Sequence, residues 1–127
     1  MNVLAKGNGT GKGYAMFIGR WQPWHAGHRW LIDQQLEKGK KVLLAIRDVE
    51  PDEKNPWFPQ DVLMNLSKEL SDLIMQGKIK IIIIPDIESV NIGRGIGYDV
   101  IEHTPPHDIH DISATKIREQ MKAEGKL

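Results

Sequence analysis

The sequence has no cysteine and no net charge: among its 127 residues, 17 lysines and arginines balance 17 aspartates and glutamates. The missing cysteines exclude disulfides and thiolate metal sites, and they are typical of a reducing compartment such as the cytoplasm. A chain with zero formal charge has no overall field to attract nucleic acid or an anionic membrane. We therefore expect neither of these partners, and any anionic ligand must be bound locally.

Long apolar runs are also lacking. The longest, Ile79 to Pro85, is interrupted by Lys80 and is far shorter than a membrane span or a signal peptide requires. The length is that of one domain with a single core. We expect a cytoplasmic protein in which residues 1–13 are a flexible, glycine-rich tail and residues 14–127 form a single domain.

The glycine-rich segment "KGNGTGKG", residues 6–13, does not match a phosphate loop. That motif needs a glycine five residues before the Gly-Lys pair and a serine or threonine after it. Lys6 and Gly13 occupy those two positions, so the segment is better interpreted as part of the tail.

Apolar runs and helical spacing alternate along the rest of the chain. Strands are predicted at 14–18, 41–46 and 78–85, with helices from the turn at Pro23 to Lys38 and from Phe58 to Ile74. Shorter strands are predicted at 90–92 and 98–103. The alternation predicts an α/β, Rossmann-like, doubly wound parallel sheet of about five strands with helices on both faces. Ligands of such sheets bind beyond the carboxyl ends of the strands.

Two histidines follow the first of the long strands, in "GRWQPWHAGHRW". His25 and His28 are three residues apart at the start of a helix, so their side chains share a face. The free N–H groups and the positive dipole end of that helix lie there too. Gly27 has no side chain, so a ligand could approach the backbone between the two imidazoles. The pattern favours an anion site over two ordinary surface histidines.

A second anion site is predicted at "DISATKIREQM", residues 111–121. Ser113 is a suitable N-cap, with Ile112 and Ile117 spaced as a hydrophobic staple. Thr115 and the first-turn N–H groups can donate to phosphate oxygens, and Arg118 adds a bidentate guanidinium. Two such helix N-termini could hold a triphosphate between them.

Metal binding is the competing interpretation of the histidines. His25 and His28 could hold zinc, but no third ligand is near them in the sequence. His103, His107 and His110 lie near Asp108 and Asp111, but the two prolines among them argue against a regular helix, so a solvated loop is favoured there.

The segments "GRWQPWHAGH" and "ISATKIR" together resemble the nucleotidyltransferase superfamily that carries a His-x-Gly-His motif and a closing Ile-Ser-x-Thr-x-x-Arg motif, the cytidylyltransferase-like family. The form of the first motif is most similar to that of the nicotinamide mononucleotide adenylyltransferases. The resemblance covers about Met16 to Met121. Gln60 and Asp61 depart from it, since a Glu-Arg pair is usual at their positions.

The resemblance implies transfer of AMP or CMP from ATP or CTP to a small phosphorylated metabolite, with Mg²⁺ bound through the triphosphate and pyrophosphate as the second product. His25 and His28 would be the catalytic residues. Nucleotide and phosphate binding would fall to Phe17, Gly19, Arg20, Gly27, Ser113, Thr115 and Arg118. Arg47 and Arg94 are possible substrate contacts, although charged residues at strand ends are often simply solvated. Trp21 could stack on a base or ring of the substrate, but an aromatic residue at such a turn more often packs the loop onto the core.

The interval between Pro85 and Ser113 is short. Members of the family commonly place another helix and acceptor-binding residues in that interval. A non-catalytic nucleotide-binding or regulatory protein with the same triphosphate cradle is therefore the alternative. Unpaired sheet edges and exposed tryptophans would also favour a homodimer.

Overall fold

The structure is a computed structural model, and it describes residues 2–5, 13–93, 97–106 and 114–125. The helices and strands follow in chain order: β1 (Asn2–Ala5), β2 (Tyr14–Gly19), α1 (Ala26–Leu36), β3 (Lys41–Asp48), α2 (Pro59–Glu69), α3 (Ser71–Met75), β4 (Ile79–Pro85), β5 (Val100–Glu102) and α4 (Ala114–Ala123).

A parallel sheet of three strands, in the order β2-β3-β4, organises the chain. The central strand β3 is rich in branched apolar residues, and Val42, Leu44, Ala45 and Ile46 are all buried. Residues two apart on a strand share a face, so Val42, Leu44 and Ile46 point the same way. The helices α1 and α2 pack on that face, and the structure is an α/β fold with helices flanking a parallel sheet.

The hydrophobic core lies between this face of the sheet and the helices. It contains residues from the turn after β2, from α1, β3 and α2, and from the start of β4: Trp21, Ile32, Val42, Leu44, Ile46, Val62, Leu66, Leu70 and Ile79. The helices end where a left-handed residue allows the chain to turn, at Gly39 (φ 75°) and Gly77 (φ 71°).

The predicted sheet of about five parallel strands differs from what the described residues show. β5 pairs antiparallel with β1 in a separate two-stranded sheet, with Asn2 opposite Glu102. In the described part of the chain, no strand covers 90–92, where Val90 and Ile92 are exposed.

Three smaller expectations also change. Residues 2–5, within the predicted flexible tail, form β1, because the apolar stretch that precedes the glycines finds a partner strand. The predicted helix 58–74 is divided at Leu70, whose backbone leaves helical geometry (φ −112°, ψ 19°). None of the four tryptophans is exposed, so they give no support to a homodimer. Within the described ranges, no helix has both the length and the apolar character needed to cross a bilayer.

Candidate functional site

The two histidines lie where the sequence places them, at the carboxyl end of the sheet. β2 ends at Gly19, a six-residue turn follows, and α1 begins at Ala26. His25 is the N-cap residue of α1, with an extended backbone (φ −146°, ψ 177°). His28 stands at the third helical position, and the two imidazole rings stack with their centroids 3.6 Å apart.

The histidines cap the helix with their own side chains. His25 Nδ1 accepts hydrogen bonds from the N–H groups of Gly27 (3.0 Å) and His28 (3.4 Å). In return, His28 Nδ1 accepts from the N–H of His25 (3.3 Å). This is a capping box built from two imidazoles, in which each Nδ1 satisfies a donor that would otherwise lack a partner.

Burial determines the protonation of the two rings. Burial lowers the pKa of His25, and burial together with the nearby His25 lowers the pKa of His28 to about 3. Both rings are therefore neutral near pH 7. Because Nδ1 accepts in each ring, the single proton resides on Nε2. The turn presents two neutral N–H donors that the helix cap leaves unused.

Tryptophans surround His28. The Trp21 ring meets it edge-on, with centroids 5.0 Å apart, and the Trp24 ring lies 5.3 Å away. This packing excludes water from one side of the imidazole, which accounts for its lowered pKa. It also fixes the direction in which Nε2 points.

Trp21 is a core residue, only 6% exposed, and its indole N–H donates to the Ala45 carbonyl (3.1 Å). Its backbone has a positive φ of 53°, a left-handed conformation that a bulky residue adopts only when its surroundings hold it there. The ring packs against Gly19, where an added Cβ would come within 3.0 Å of it. Of the two roles open to Trp21, stacking on a substrate and packing on the core, the structure shows packing: the ring is buried and lies edge-on against His28.

Gln22 ties the turn to the loop of residues 49–58. It is 4% exposed, and its side-chain amide donates to the Trp57 carbonyl (2.9 Å) and accepts from the Trp57 N–H (3.1 Å). Its backbone carbonyl accepts a hydrogen bond from Arg118 Nη1. One residue thus joins the histidine turn, the loop and helix α4.

Two guanidinium groups stand beside the turn, and we call Arg20, Asp52 and Arg118 the arginine cluster. Arg20 donates to the Glu50 carbonyl (3.4 Å) and lies 3.8 Å from the Asp52 carboxylate. Arg118 is 8% exposed, and its pKa is lowered by burial and by the charge of Arg20, while Asp52 opposes the shift. Among the described residues, Arg20 Nε is buried and has no hydrogen-bond partner. The cluster can accept an anion.

Asp52 is held in place by its own loop. Its carboxylate accepts from the N–H groups of Asn55 (2.7 Å) and Lys54 (2.9 Å). These bonds, foremost that from Asn55, lower the pKa of Asp52. The Asp52 carboxylate is therefore ionised and lies beside two arginines. It is their counter-ion, and a more highly charged anion could displace it.

The remaining predicted site residues are found in different places. Arg47 forms an ion pair with Asp86 (2.8 Å), which follows the neighbouring strand. The half-buried Phe17 faces His103, with ring centroids 6.1 Å apart. Thr115 is the second residue of α4, three positions ahead of Arg118. Ser113 and Arg94 lie outside the described residues, as do His107, Asp108, His110 and Asp111, for which a solvated loop was favoured over a metal site.

A metal centre finds no support in the described part of the chain. No group there brings together three or more histidine, cysteine, aspartate or glutamate side chains. His25 and His28 each use one ring nitrogen for the helix cap, which leaves one nitrogen per ring for a ligand.

Sequence reasoning missed Gln22, Asp52 and Gln35. Gln22 lies inside the motif, but its two bonds to Trp57 join segments 35 residues apart, which no local pattern reveals. Asp52 had a signal, since "PDEKN" is a sequence that favours an Asx turn. Gln35 occupies a core-facing position in α1 and is buried there. The sequence feature that could have indicated this is a polar residue at a position where the helical spacing predicts an apolar one.

The chain is similar in part to a known enzyme. No protein-family model matches it. Over 62 residues, 44% of this chain, it is 34% identical to the nicotinamide/nicotinic acid mononucleotide adenylyltransferase of Acinetobacter baylyi. The match covers 33% of that protein, so the chain spans about a third of the length of the relative. This similarity is to a member of the family that the two sequence motifs resemble, and it covers less than half of the chain.

Proposed function

We propose that this chain is a nucleotidyltransferase that transfers the nucleoside monophosphate part of a nucleoside triphosphate to a small phosphorylated metabolite. An oxygen of the acceptor phosphate attacks the α-phosphorus, the bond from that phosphorus to the bridging oxygen of the β-phosphate breaks, and pyrophosphate leaves. The observation that carries the proposal is the pair of neutral imidazoles, each with Nδ1 engaged in the helix cap and an N–H donor at Nε2.

Such a pair suits a phosphoryl centre in which charge develops. Donors that are fixed before the reaction stabilise the transition state without having to reorganise. His25 and His28 are held by the cap and by the tryptophans, so their Nε2–H groups meet these conditions. No covalent intermediate is needed, because positioning and charge stabilisation account for most of the catalysis in phosphoryl transfer.

The arginine cluster would receive the departing phosphates. A triphosphate oxygen bonded to Arg20 Nε would fill the donor that lacks a partner, and Arg118 would approach from the opposite helix. Asp52 would then be displaced from Arg20. Mg²⁺ would enter bound to the triphosphate and neutralise part of its charge.

The similarity to an adenylyltransferase favours ATP over CTP, and a pyridine mononucleotide as the first acceptor to test. The alternative, a nucleotide-binding protein without turnover, is supported by one observation: the interval between Pro85 and Ser113 is short. Both functions require the same triphosphate site, so an activity measurement must be paired with a binding measurement.

The test is pyrophosphate release with Mg²⁺, over four nucleoside triphosphates crossed with phosphorylated acceptors that include nicotinamide mononucleotide. We expect release with one pair of substrates and its loss when either substrate is omitted. Calorimetry with a non-hydrolysable ATP analogue completes the experiment. Binding without release for any pair would support the alternative, and neither binding nor release would refute both.

A further inference from the structure

The Asp52 carboxylate is held beside Arg20 by a turn that closes on itself. The Asp52 N–H donates to the Asn55 carbonyl (3.0 Å), and Asp52 Oδ1 accepts from the N–H groups of Lys54 and Asn55. An Asx turn of this kind fixes the side chain together with the backbone. Oδ1 is therefore used within the turn, and Oδ2 is the oxygen that faces the Arg20 guanidinium, 3.8 Å from Nη1.

The loop that carries this turn is bonded to the histidine turn on both sides of Asp52. On one side, the Glu50 carbonyl accepts from Arg20 Nη2 (3.4 Å). On the other side, the N–H and the carbonyl of Trp57 are both bonded to the side-chain amide of the buried Gln22. Because these bonds flank Asp52, an anion that takes over Arg20 displaces the Asp52 carboxylate only a short distance.

Arg20 presents its remaining donor close to this carboxylate. Its Nε is buried and, among the described residues, has no hydrogen-bond partner. Nε and Nη1 belong to one guanidinium, so a phosphate at Nε and the Asp52 carboxylate would share a single cation. Two anions so placed lie within the Debye length of about 10 Å at 0.1 M salt, where charges still repel each other. The Asp52 charge also acts on Arg118, where it opposes the lowering of the pKa by burial.

Mg²⁺ relieves this repulsion. A metal-free triphosphate brings its full negative charge to the arginine cluster, whereas bound Mg²⁺ cancels part of it. The Asp52 carboxylate is also the type of ligand that Mg²⁺ prefers, since the ion is usually held by one or two carboxylates together with the phosphates of the substrate. One protein carboxylate at this position therefore fits a Mg²⁺-bound triphosphate better than a metal-free one.

We propose that Asp52 makes triphosphate binding depend on Mg²⁺, by repelling the metal-free triphosphate and attracting the ion that neutralises it. This inference rests on the triphosphate site of the proposed function, but it does not require turnover. Asp52 is thus a specificity-determining residue: it selects the charge state of the nucleotide, while Arg20 and Arg118 supply attraction for the phosphates.

The experiment compares Asp52→Asn with the unaltered full chain. Asparagine favours the same turn, and its side-chain oxygen can accept from the N–H groups of Lys54 and Asn55, so we expect the loop to be kept. The ligand is an ATP analogue with a methylene group between the α- and β-phosphates, which lacks the bond that transfer would break. Calorimetry gives its dissociation constant with Mg²⁺ and, separately, with a chelator in place of Mg²⁺.

We expect the unaltered chain to bind the Mg²⁺ complex more tightly than the metal-free analogue. Asp52→Asn should strengthen binding of the metal-free analogue about three- to tenfold, because one charge that repels it is removed. Binding of the Mg²⁺ complex should stay the same or weaken. The ratio of the two dissociation constants should therefore fall by at least the same factor.

Glu53→Gln is the matched control, because it removes one negative charge from the next residue of the loop. Glu53 is exposed, and in the part of the chain that the structure describes, the ion pair of Arg20 is with Asp52 and not with Glu53. The ratio should change less than about twofold in this variant. Raising KCl from about 0.05 M to about 0.5 M should reduce the selection in the unaltered chain, because salt screens the repulsion.

Four results would overturn the proposal. The first is equal affinity of the unaltered chain for the analogue with and without Mg²⁺. The second is a change of both dissociation constants by the same factor in Asp52→Asn. The third is an effect of Glu53→Gln on the ratio as large as that of Asp52→Asn, and the fourth is no binding of either form at about 10 mM.

The two proposals can fail separately. Selection for Mg²⁺ that Asp52→Asn reduces, without pyrophosphate release for any substrate pair, would keep the role of Asp52 and reject the transferase. Pyrophosphate release by the unaltered chain, together with an unchanged ratio of dissociation constants in Asp52→Asn, would keep the transferase and reject the role of Asp52.

Discussion

His25 both caps helix α1 and presents a donor, and the substitution His25→Asn separates these two roles. Asparagine is among the best N-cap residues, and its side-chain oxygen can accept from the N–H groups of Gly27 and His28 as Nδ1 does now. Its side-chain NH₂ group lies one bond closer to the backbone than Nε2 does, so it offers no donor at the position of Nε2. The variant should therefore keep the cap and lose the donor, whereas His25→Ala loses both.

The magnitudes follow from the contacts. Loss of the ring stacked on His28 costs about 0.5–1.5 kcal/mol of unfolding free energy in either variant. His25→Ala should lose about 1 kcal/mol more, the usual contribution of an N-cap. Loss of a preorganised donor should lower kcat in both variants by about 10² to 10³. We thus expect equal kinetic losses and unequal stabilities.

Urea unfolding and pyrophosphate release on the same preparations check this prediction. A His25→Asn protein with an unchanged kcat would refute the role of Nε2–H. Equal stabilities of the asparagine and alanine variants would refute the capping role, even if both were inactive.

Three further predictions concern stability. The unfolded chain takes up a proton on His28 near pH 6.5, whereas the folded chain does so only near pH 3; unfolding free energy should thus fall through this window, by roughly 2 kcal/mol between pH 7 and pH 5. Urea titrations should find that the unfolding free energy of His28→Asn falls less steeply with pH. An unfolding free energy of the unaltered chain that stays constant between pH 7 and pH 5 would contradict a buried, neutral His28 ring. Gly19→Ala should lower the midpoint of thermal unfolding by the equivalent of about 1–3 kcal/mol, because its Cβ would lie 3.0 Å from the Trp21 ring; an unchanged midpoint would show that the ring can move. Gln22→Leu removes two hydrogen bonds to the Trp57 backbone, so hydrogen exchange at the Trp57 amide should accelerate, and unaltered protection would argue that Gln22 does not hold the loop.

The parallel sheet was predictable because its signals are local. The three long strands are short apolar runs that end at turn residues, and the helices between them show helical spacing. β5 lies within the strand predicted at 98–103, but β1 was not predicted. The pairing of the two joins Asn2 to Glu102, a contact between distant parts of the chain that no local pattern reveals. The break at Leu70 was also not predictable, because the apolar residues keep their helical spacing across it. It depends on how α3 packs beside β4.

The site was predictable in its location and less so in its atoms. Their spacing of three residues at the start of a helix predicted that His25 and His28 lie side by side, and their rings are stacked. Their use of Nδ1 as helix caps depends on ring rotation, which residue identity does not determine. The sequence left Trp21 a choice between a substrate and the core, and its positive φ and its hydrogen bond to the Ala45 carbonyl turn the ring toward the core. The pairing of Arg47 depends on the register of β3 and β4, which brings their ends, and hence Asp86, to the same edge.

The most direct test of the proposed transfer is ³¹P NMR of a reaction that contains the chain, Mg²⁺, ATP and nicotinamide mononucleotide. We predict that a diphosphate ester and pyrophosphate appear in equal amounts as ATP and the mononucleotide disappear, and that both products form more slowly with His25→Asn. Unchanged ATP, or its conversion to ADP and inorganic phosphate, would contradict attack at the α-phosphorus.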